Sequence, residues 1–330
     1  MTKKQINRRK EILFLYDVVD NNPNGDPAAD NRPRRDEETE INLVTDVRMK
    51  RTVRDYIIQT EKQSPHNSVW IAEEEDKKGN LKTRETKIKE FKENHKLDNT
   101  NKKKLKAELL KEYVDLRLFG ATIGLTAKEG KGESIAVTGP VQFNFGRSLH
   151  PVEIMTVKGT ATLPSKEGLK QGTFVTTYII PYSLIAFYGV VNENAAITTG
   201  LTEEDVSLLY QGLWFGTKNL ITRSKMGHAP RLLIIVDYNE KNYQLGDLRD
   251  LISLVPNEGK KPKELRSILD YTIDITQLIK SLESIKDRIH KVYLLRSHEL
   301  VLTAGNKPID LEKELKSMSL PVSELKIGEA

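Results

Sequence analysis

Cysteine is absent from the 330 residues. That excludes disulfides, a thiolate metal site and a cysteine nucleophile, and it suits a reducing compartment. The six histidines, at positions 66, 95, 150, 228, 290 and 298, are scattered, with no pair at metal-ligand spacing. Neither a glycine-rich phosphate loop nor a nucleophile elbow occurs. No apolar run approaches the length that crosses a bilayer. The chain starts basic and then apolar, as a secretory leader does. Asp17 and Asp20 interrupt that run early, however, and no small-residue cleavage site follows. The expectation is a soluble, cytoplasmic protein with no metal, no cofactor and no membrane partner. A large charge excess is lacking too: 52 basic residues face 47 acidic ones, for a net charge of +5. A nucleic-acid partner is permitted but not demanded, and any basic surface must be local.

What is present is best organised between Ile12 and Ile58. Ile12, Leu13, Phe14, Leu15, Val18 and Val19 form a short apolar run of strand length. Asn21-Asn22-Pro23-Asn24-Gly25-Asp26-Pro27 then breaks it, with Asn24-Gly25 favouring positive φ. A helix is expected from about Thr45, capped by Thr45 or Asn42. Its spacing puts Met49, Val53, Tyr56 and Ile57 on one face and spreads Arg48, Lys50, Arg51 and Arg54 over the opposite side. Such a cationic side fits an ordinary solvated surface, and it equally fits a face that neutralises nucleic-acid phosphates. Asp20-x-Asn22-x-Asn24-Gly25 looks like the start of a calcium loop, but Asn31 stands at the last ligand position and Pro23 lies inside. Calcium is therefore excluded there. Asp26, Asp30 and Asp36 suit turn formation, or a catalytic carboxylate.

Residues from about Glu61 to Lys111 are dense in mixed charge, which reads as a solvated, mostly helical insertion. Leu105, Leu109, Leu110, Val114 and Leu118 restore helical periodicity, and Gly120 suits the C-terminus of that helix. Ser134 to Phe145 alternates as a strand broken at Gly139-Pro140, with Phe143 and Phe145 as core residues or base-stacking platforms. Arg147 precedes a long loop from His150 to Gln171. Thr173 to Val191 is strongly strand-forming, with a break expected at Pro181. Thr202 caps a helix whose buried stripe is Val206, Leu209, Leu213, Leu220 and Ile221. Leu232 to Val236 is a further strand. A strand, a helix from about Gln277 to His290, and another strand then form a C-terminal annex. Without the insertions the order is β-α-β-β-α-β, the ferredoxin-like order on which RNA-recognition modules are built.

Several stretches together resemble one family. They are Leu15-Tyr16-Asp17-Val18-Val19-Asp20 with Asn22-Pro23-Asn24-Gly25-Asp26-Pro27, and Val44 through Tyr56. Arg117-Leu118-Phe119-Gly120, Gly139-Pro140-Val141-Gln142-Phe143, Phe145-Gly146-Arg147-Ser148 and Ser224-Lys225-Met226-Gly227-His228 complete the set. The combination, spread over roughly the first 240 residues, is similar to the backbone subunit of Cascade, the type I CRISPR surveillance complex, most like its type I-B branch.

The resemblance implies an α+β fold with an RNA-recognition-motif-like palm over 1–60 and 112–240. It further implies a helical finger insertion over 61–111, a thumb loop over 148–172, and an annex over 241–330 that completes the palm. It implies a non-catalytic subunit that oligomerises along a guide RNA and presents it for pairing with target DNA, alongside other Cascade subunits. Arg48, Lys50, Arg51 and Arg54 then become guide-phosphate contacts, joined by Arg147, Arg223, Lys225 and His228, with Asn22 and Asn24 as polar loop contacts. Met155, or alternatively Leu163, is the expected thumb wedge at a displaced nucleotide. Two other readings remain: a type III-like relative cutting RNA with a metal held by Asp26 or Asp30, and a solitary RNA-binding protein.

Overall fold

The computed structural model describes residues 4–60, 66–97, 101–125, 133–160 and 174–327. The chain opens with β1 (Lys10–Asn21), the short pair β2 (Gly25–Asp26) and β3 (Arg32–Pro33), and β4 (Ile41–Val44). Helices α1 (Asp46–Thr60), α2 (Arg84–Asn94), α3 (Lys102–Glu112) and α4 (Val114–Phe119) follow. Next come β5 (Gly120–Leu125), β6 (Glu133–Thr138), β7 (Val141–Phe143), β8 (Gly146–Pro151), β9 (Met155–Thr160) and β10 (Phe174–Val191). Helices α5 (Glu193–Thr199) and α6 (Glu203–Gln211) lead to β11 (Ala229–Tyr238). The C-terminal part holds β12 (Ser253–Pro256), β13 (Tyr271–Asp274), α7 (Thr276–Ser284), β14 (Ile289–Arg296), β15 (Leu302–Ala304), β16 (Lys307–Pro308), α8 (Leu311–Ser317) and β17 (Val322–Glu324).

The fold is mixed α+β. Its main sheet has the order β17-β14-β11-β1-β10-β8-β4, with β7 and β9 also paired to β10. β1 sits near the middle, antiparallel to both β10 and β11. Its run is continuously apolar because both faces are covered. Ile12, Phe14, Tyr16 and Val18 pack with Met49, Val53, Tyr56 and Ile57 of α1 and Val206 and Leu209 of α6. Leu13 and Leu15 face the other way, into a cluster with Leu278 and Leu282 of α7 and Leu311 and Leu315 of α8. Both faces of the sheet are covered around β1; Phe143 is buried in the first cluster, while Phe145 is 51% exposed beyond it. α6 closes with a π-helical turn over Gly212–Gly216, where a Cβ on Gly212 would come within 2.9 Å of Val53.

Several sequence expectations change. Ser134 to Phe145 divides at Gly139–Pro140 between two sheets: β6 pairs with β5, and β7 pairs with β10. β5 and β6 share a third apolar cluster with Ile88 and Phe91 of α2 and Leu105 and Leu109 of α3. The insertion helices thus have a core of their own, which their charge density concealed. Pro181 does not break β10, which continues through it for 18 residues. The missing N–H falls where the ladder is already irregular, since β1 skips Asp20 (φ 48°) between its pairs with Ile180 and Tyr182. Ile221 is 74% exposed, because the helix of α6 and its π turn end before it. α7 stops at Ser284, short of His290, which belongs to β14.

Part of the expected long loop is strand. His150 lies in β8, buried, with Nε2 accepting from the Leu184 N–H at 3.3 Å; burial depresses its pKa to about 4. β9 pairs with Phe174–Ile179, the part of β10 that lies beyond β1, making a two-stranded ribbon whose β9 side is exposed throughout.

Candidate nucleic-acid interface

Two loops meet at one end of β1. Asn22 N–H donates to the Ser224 carbonyl at 3.3 Å, and Asn21 Nδ2 donates to the Met226 carbonyl. The Lys225 ammonium is inserted between them, donating to the carbonyls of Asn22 and of Pro23, the latter at 2.9 Å. Asn24 ties this loop to the helix start: its Oδ1 accepts from Thr45 N–H at 2.9 Å and from Thr45 Oγ1 at 3.0 Å. Thr45 in turn caps α1 by accepting from the Arg48 N–H at 3.2 Å. Asparagine-rich turn chemistry in the sequence therefore serves to place the first turn of α1 against the Ser224–His228 loop.

A small cavity of about 10 Å³ lies at the meeting point, lined by Tyr16, Arg48, Thr52, Thr217, Leu220 and His228. That volume is on the order of one water and cannot admit a base. Around it, Asn22 Oδ1, Arg48 Nε, Thr217 Oγ1 and both ring nitrogens of His228 are buried without a hydrogen-bond partner among the described residues. Buried polar atoms are ordinarily paired, so this is a local concentration of unspent hydrogen-bonding capacity. His228 packs against Tyr16 at 5.7 Å between ring centroids. Burial, reinforced by Lys225 and Arg48, lowers its pKa to about 3, so at neutral pH it is an uncharged ring. Burial also lowers the Lys225 pKa to about 8, with Arg48 repelling its charge. Arg48 is pushed down mainly by burial, against the attraction of Asp55 at 3.7 Å. Two crowded cations with depressed pKa values gain from an approaching anion.

The structure thus gathers Asn22, Arg48, Lys225 and His228, with Asn24 linked through Thr45. The other expected residues are placed differently. Arg54 corrects the view of α1 as one cationic face: it is buried, and its Nε donates to Asp115 of α4 at 2.8 Å. Asp115 also accepts from the N–H groups of Trp70 (2.7 Å) and Ile71 (3.1 Å), so this pair fastens the insertion to α1. Lys50 is held by Asp46 and Gln142, each at 3.0 Å. Arg51 is half-exposed and paired with Asp55 at 2.6 Å. Arg147 reaches Asp36 at 3.0 Å.

Arg223 is exposed and donates to Thr177 Oγ1 of the ribbon at 3.4 Å. Met155 is on the same ribbon, 44% exposed, and Leu163 lies outside the described residues. Exposed apolar side chains, Val47, Ile221 and Met226, stand in the chain segments that carry Arg48, Arg223 and Lys225. Asp26 is occupied locally, accepting from the Ala28 N–H at 3.0 Å and from Arg34 at 3.2 Å. Thr217 and Tyr16 were not legible as cavity residues, since nothing in their spacing links them to Arg48.

Fold and site define an α+β protein with a recessed, cationic surface of the chemistry that receives anions. Residues 8–276 match the family model described as CRISPR-associated protein Cas7, and the chain belongs to that family. It is 34% identical over 321 residues to the CRISPR-associated protein Cas7 of Haloferax volcanii, covering 91% of this chain and 90% of that protein. Among solved structures it resembles a chain of a "CRISPR RNA-guided surveillance complex, pre-nicking", with a TM-score of 0.52 and 13% identity over 96% of each chain. A chain of a "CRISPR RNA-guided surveillance complex" aligns with a TM-score of 0.49 and 14% identity, covering 91% of this chain and 95% of that one.

Proposed function

We infer that this Cas7-family chain is a non-catalytic backbone subunit of a type I surveillance complex, of the I-B kind. Several copies assemble along one guide RNA and hold it for pairing with target DNA. The observation that carries this is the cluster of Arg48, Lys225, Asn22 and His228 at the end of β1. Phosphate oxygens are suited to such a cluster, because they accept hydrogen bonds and relieve the repulsion between the cations. The order β11-β1-β10-β7, with α1 and α6 packed on one face, supports reading the centre as an RNA-recognition-like palm. The separate core of α2, α3, β5 and β6 supports a finger module, and the β9–β10 ribbon supports a thumb. With both faces of the sheet covered around β1, sequence is left to base pairing, and the palm needs only backbone and shape contacts. Asp26, engaged by Arg34, is poorly suited to activating a metal-bound nucleophile.

The test is purification from cells carrying the whole locus, with sequencing of the RNA that comes with the protein. Short RNAs of defined length support the reading; no RNA, or only heterogeneous RNA, contradicts it. A pH dependence also follows from Lys225. With its free-state pKa at about 8, RNA binding must take up a proton at alkaline pH. Affinity is expected to fall by about tenfold between pH 7 and pH 9, and Lys225→Arg, which stays charged, should flatten the profile. Fluorescence anisotropy across that range checks it.

A further inference from the structure

The ribbon has two faces, and each carries an arginine that makes no ion pair among the described residues, although Asp30 and Glu37 attract Arg32 from farther off. In an antiparallel pair, opposed residues share a face and neighbours along a strand alternate. Met155, Val157, Thr177 and Ile179 therefore lie on one face, where Arg223 contacts Thr177. Thr156 and Tyr178 lie on the other. There the guanidinium of Arg32 sits over the Tyr178 ring, 4.6 Å from its centroid, and donates to the Tyr178 hydroxyl at 3.4 Å. The neighbouring arginines are committed: Arg34 to Asp26, Arg35 to Glu37 and Glu40, and Arg147 to Asp36. Arg32 is exposed and makes no ion pair among the described residues. It lines a cavity of about 430 Å³ with Arg34, Glu153, Thr156 and Tyr178. That is within the range of roughly 300–1,000 Å³ typical of ligand sites.

We propose that Arg32, backed by Tyr178, is a stacking site for one unpaired base of a single-stranded nucleic acid, on the ribbon face opposite Arg223. The base lies on the free side of the guanidinium plane, continuing the Tyr178–Arg32 stack. Tyr178 is a positioning residue: it fixes the plane on which the base rests. The strand therefore passes the base of the ribbon, with one arginine on each side. This rests on the guide-RNA reading above, and the base comes from either the guide or its complementary strand.

The test uses full-length protein and a single-stranded RNA, with complementary DNA added to the protein–RNA complex in a second arm. Arg32→Ala should weaken binding by about five- to tenfold in the arm that supplies the base. Arg32→Lys should lose nearly as much, since an ammonium keeps the charge but offers no plane. Tyr178→Ala should resemble Arg32→Ala, whereas Tyr178→Phe retains the ring and the affinity. A thio-substituted base in the RNA, or in the DNA, should crosslink to the peptides carrying Arg32 or Tyr178, which identifies the source. Full affinity in Arg32→Lys would mean that charge alone acts, and would overturn the stacking site. Affinity indifferent to Arg32→Ala in both arms, without a crosslink, would overturn it while leaving the guide reading intact. An unmodified protein that binds no RNA would overturn both.

Discussion

Replacing Arg48 and Lys225 together by alanine is expected to reduce affinity for single-stranded RNA by about a hundredfold or more at moderate salt. The magnitude follows from two charged hydrogen bonds, each worth about 1.5–3 kcal/mol when made to a charged group. The salt dependence should change as well. Each phosphate contact contributes about 0.7 to the slope of log affinity against log salt for a single strand, so the double variant should lose about 1.4. Among the described residues neither side chain holds the fold through a buried ion pair: Arg48 and Asp55, 3.7 Å apart, are both partly exposed, and Lys225 donates to loop carbonyls. An unchanged melting temperature with weakened binding would therefore place the effect in recognition. Unchanged affinity and slope in a folded double variant would remove this cluster from the interface.

Asp115→Ala should have the largest effect on stability, a loss of about 3–5 kcal/mol, typical of breaking one side of a buried ion pair. Asp115 is fully buried and accepts from Arg54, Trp70 N–H and Ile71 N–H. Its removal strands a buried guanidinium and leaves two backbone donors unpaired. Urea unfolding followed by circular dichroism measures the loss, and a change below about 1 kcal/mol would contradict the assigned role. The same geometry warns against reading an Arg54 variant as an RNA-binding defect. Any loss of RNA by such a chain is expected to come with lost stability, because Arg54 pairs α1 with Asp115 of α4.

Much of this was legible in the sequence where the cause is local. The run around Phe14, the cap of α1, which falls on Thr45 rather than Asn42, and the Thr202 cap are set by neighbours within a few residues, and the structure has each of them. The exchange between Arg54 and Asp115 spans 61 positions, and no periodicity along α1 announces it. Met155–Thr160 hides its strand character for the opposite reason: exposed throughout, it has no buried side to impose alternation. Tyr178 and Arg32 meet only because β10 continues through Pro181 and carries the ribbon back to the loop after β1. The motifs Asn22–Pro27 and Ser224–His228 lie far apart in the sequence, and Lys225, donating to Asn22 and Pro23, joins them into one structure.

Whether copies of this chain line a guide RNA is read from the native mass of the reconstituted assembly. Guides of two lengths would be loaded under identical conditions and the protein copies per RNA counted. The longer guide is expected to carry more copies, added at a constant number of nucleotides per copy. One copy per RNA at both lengths would contradict it.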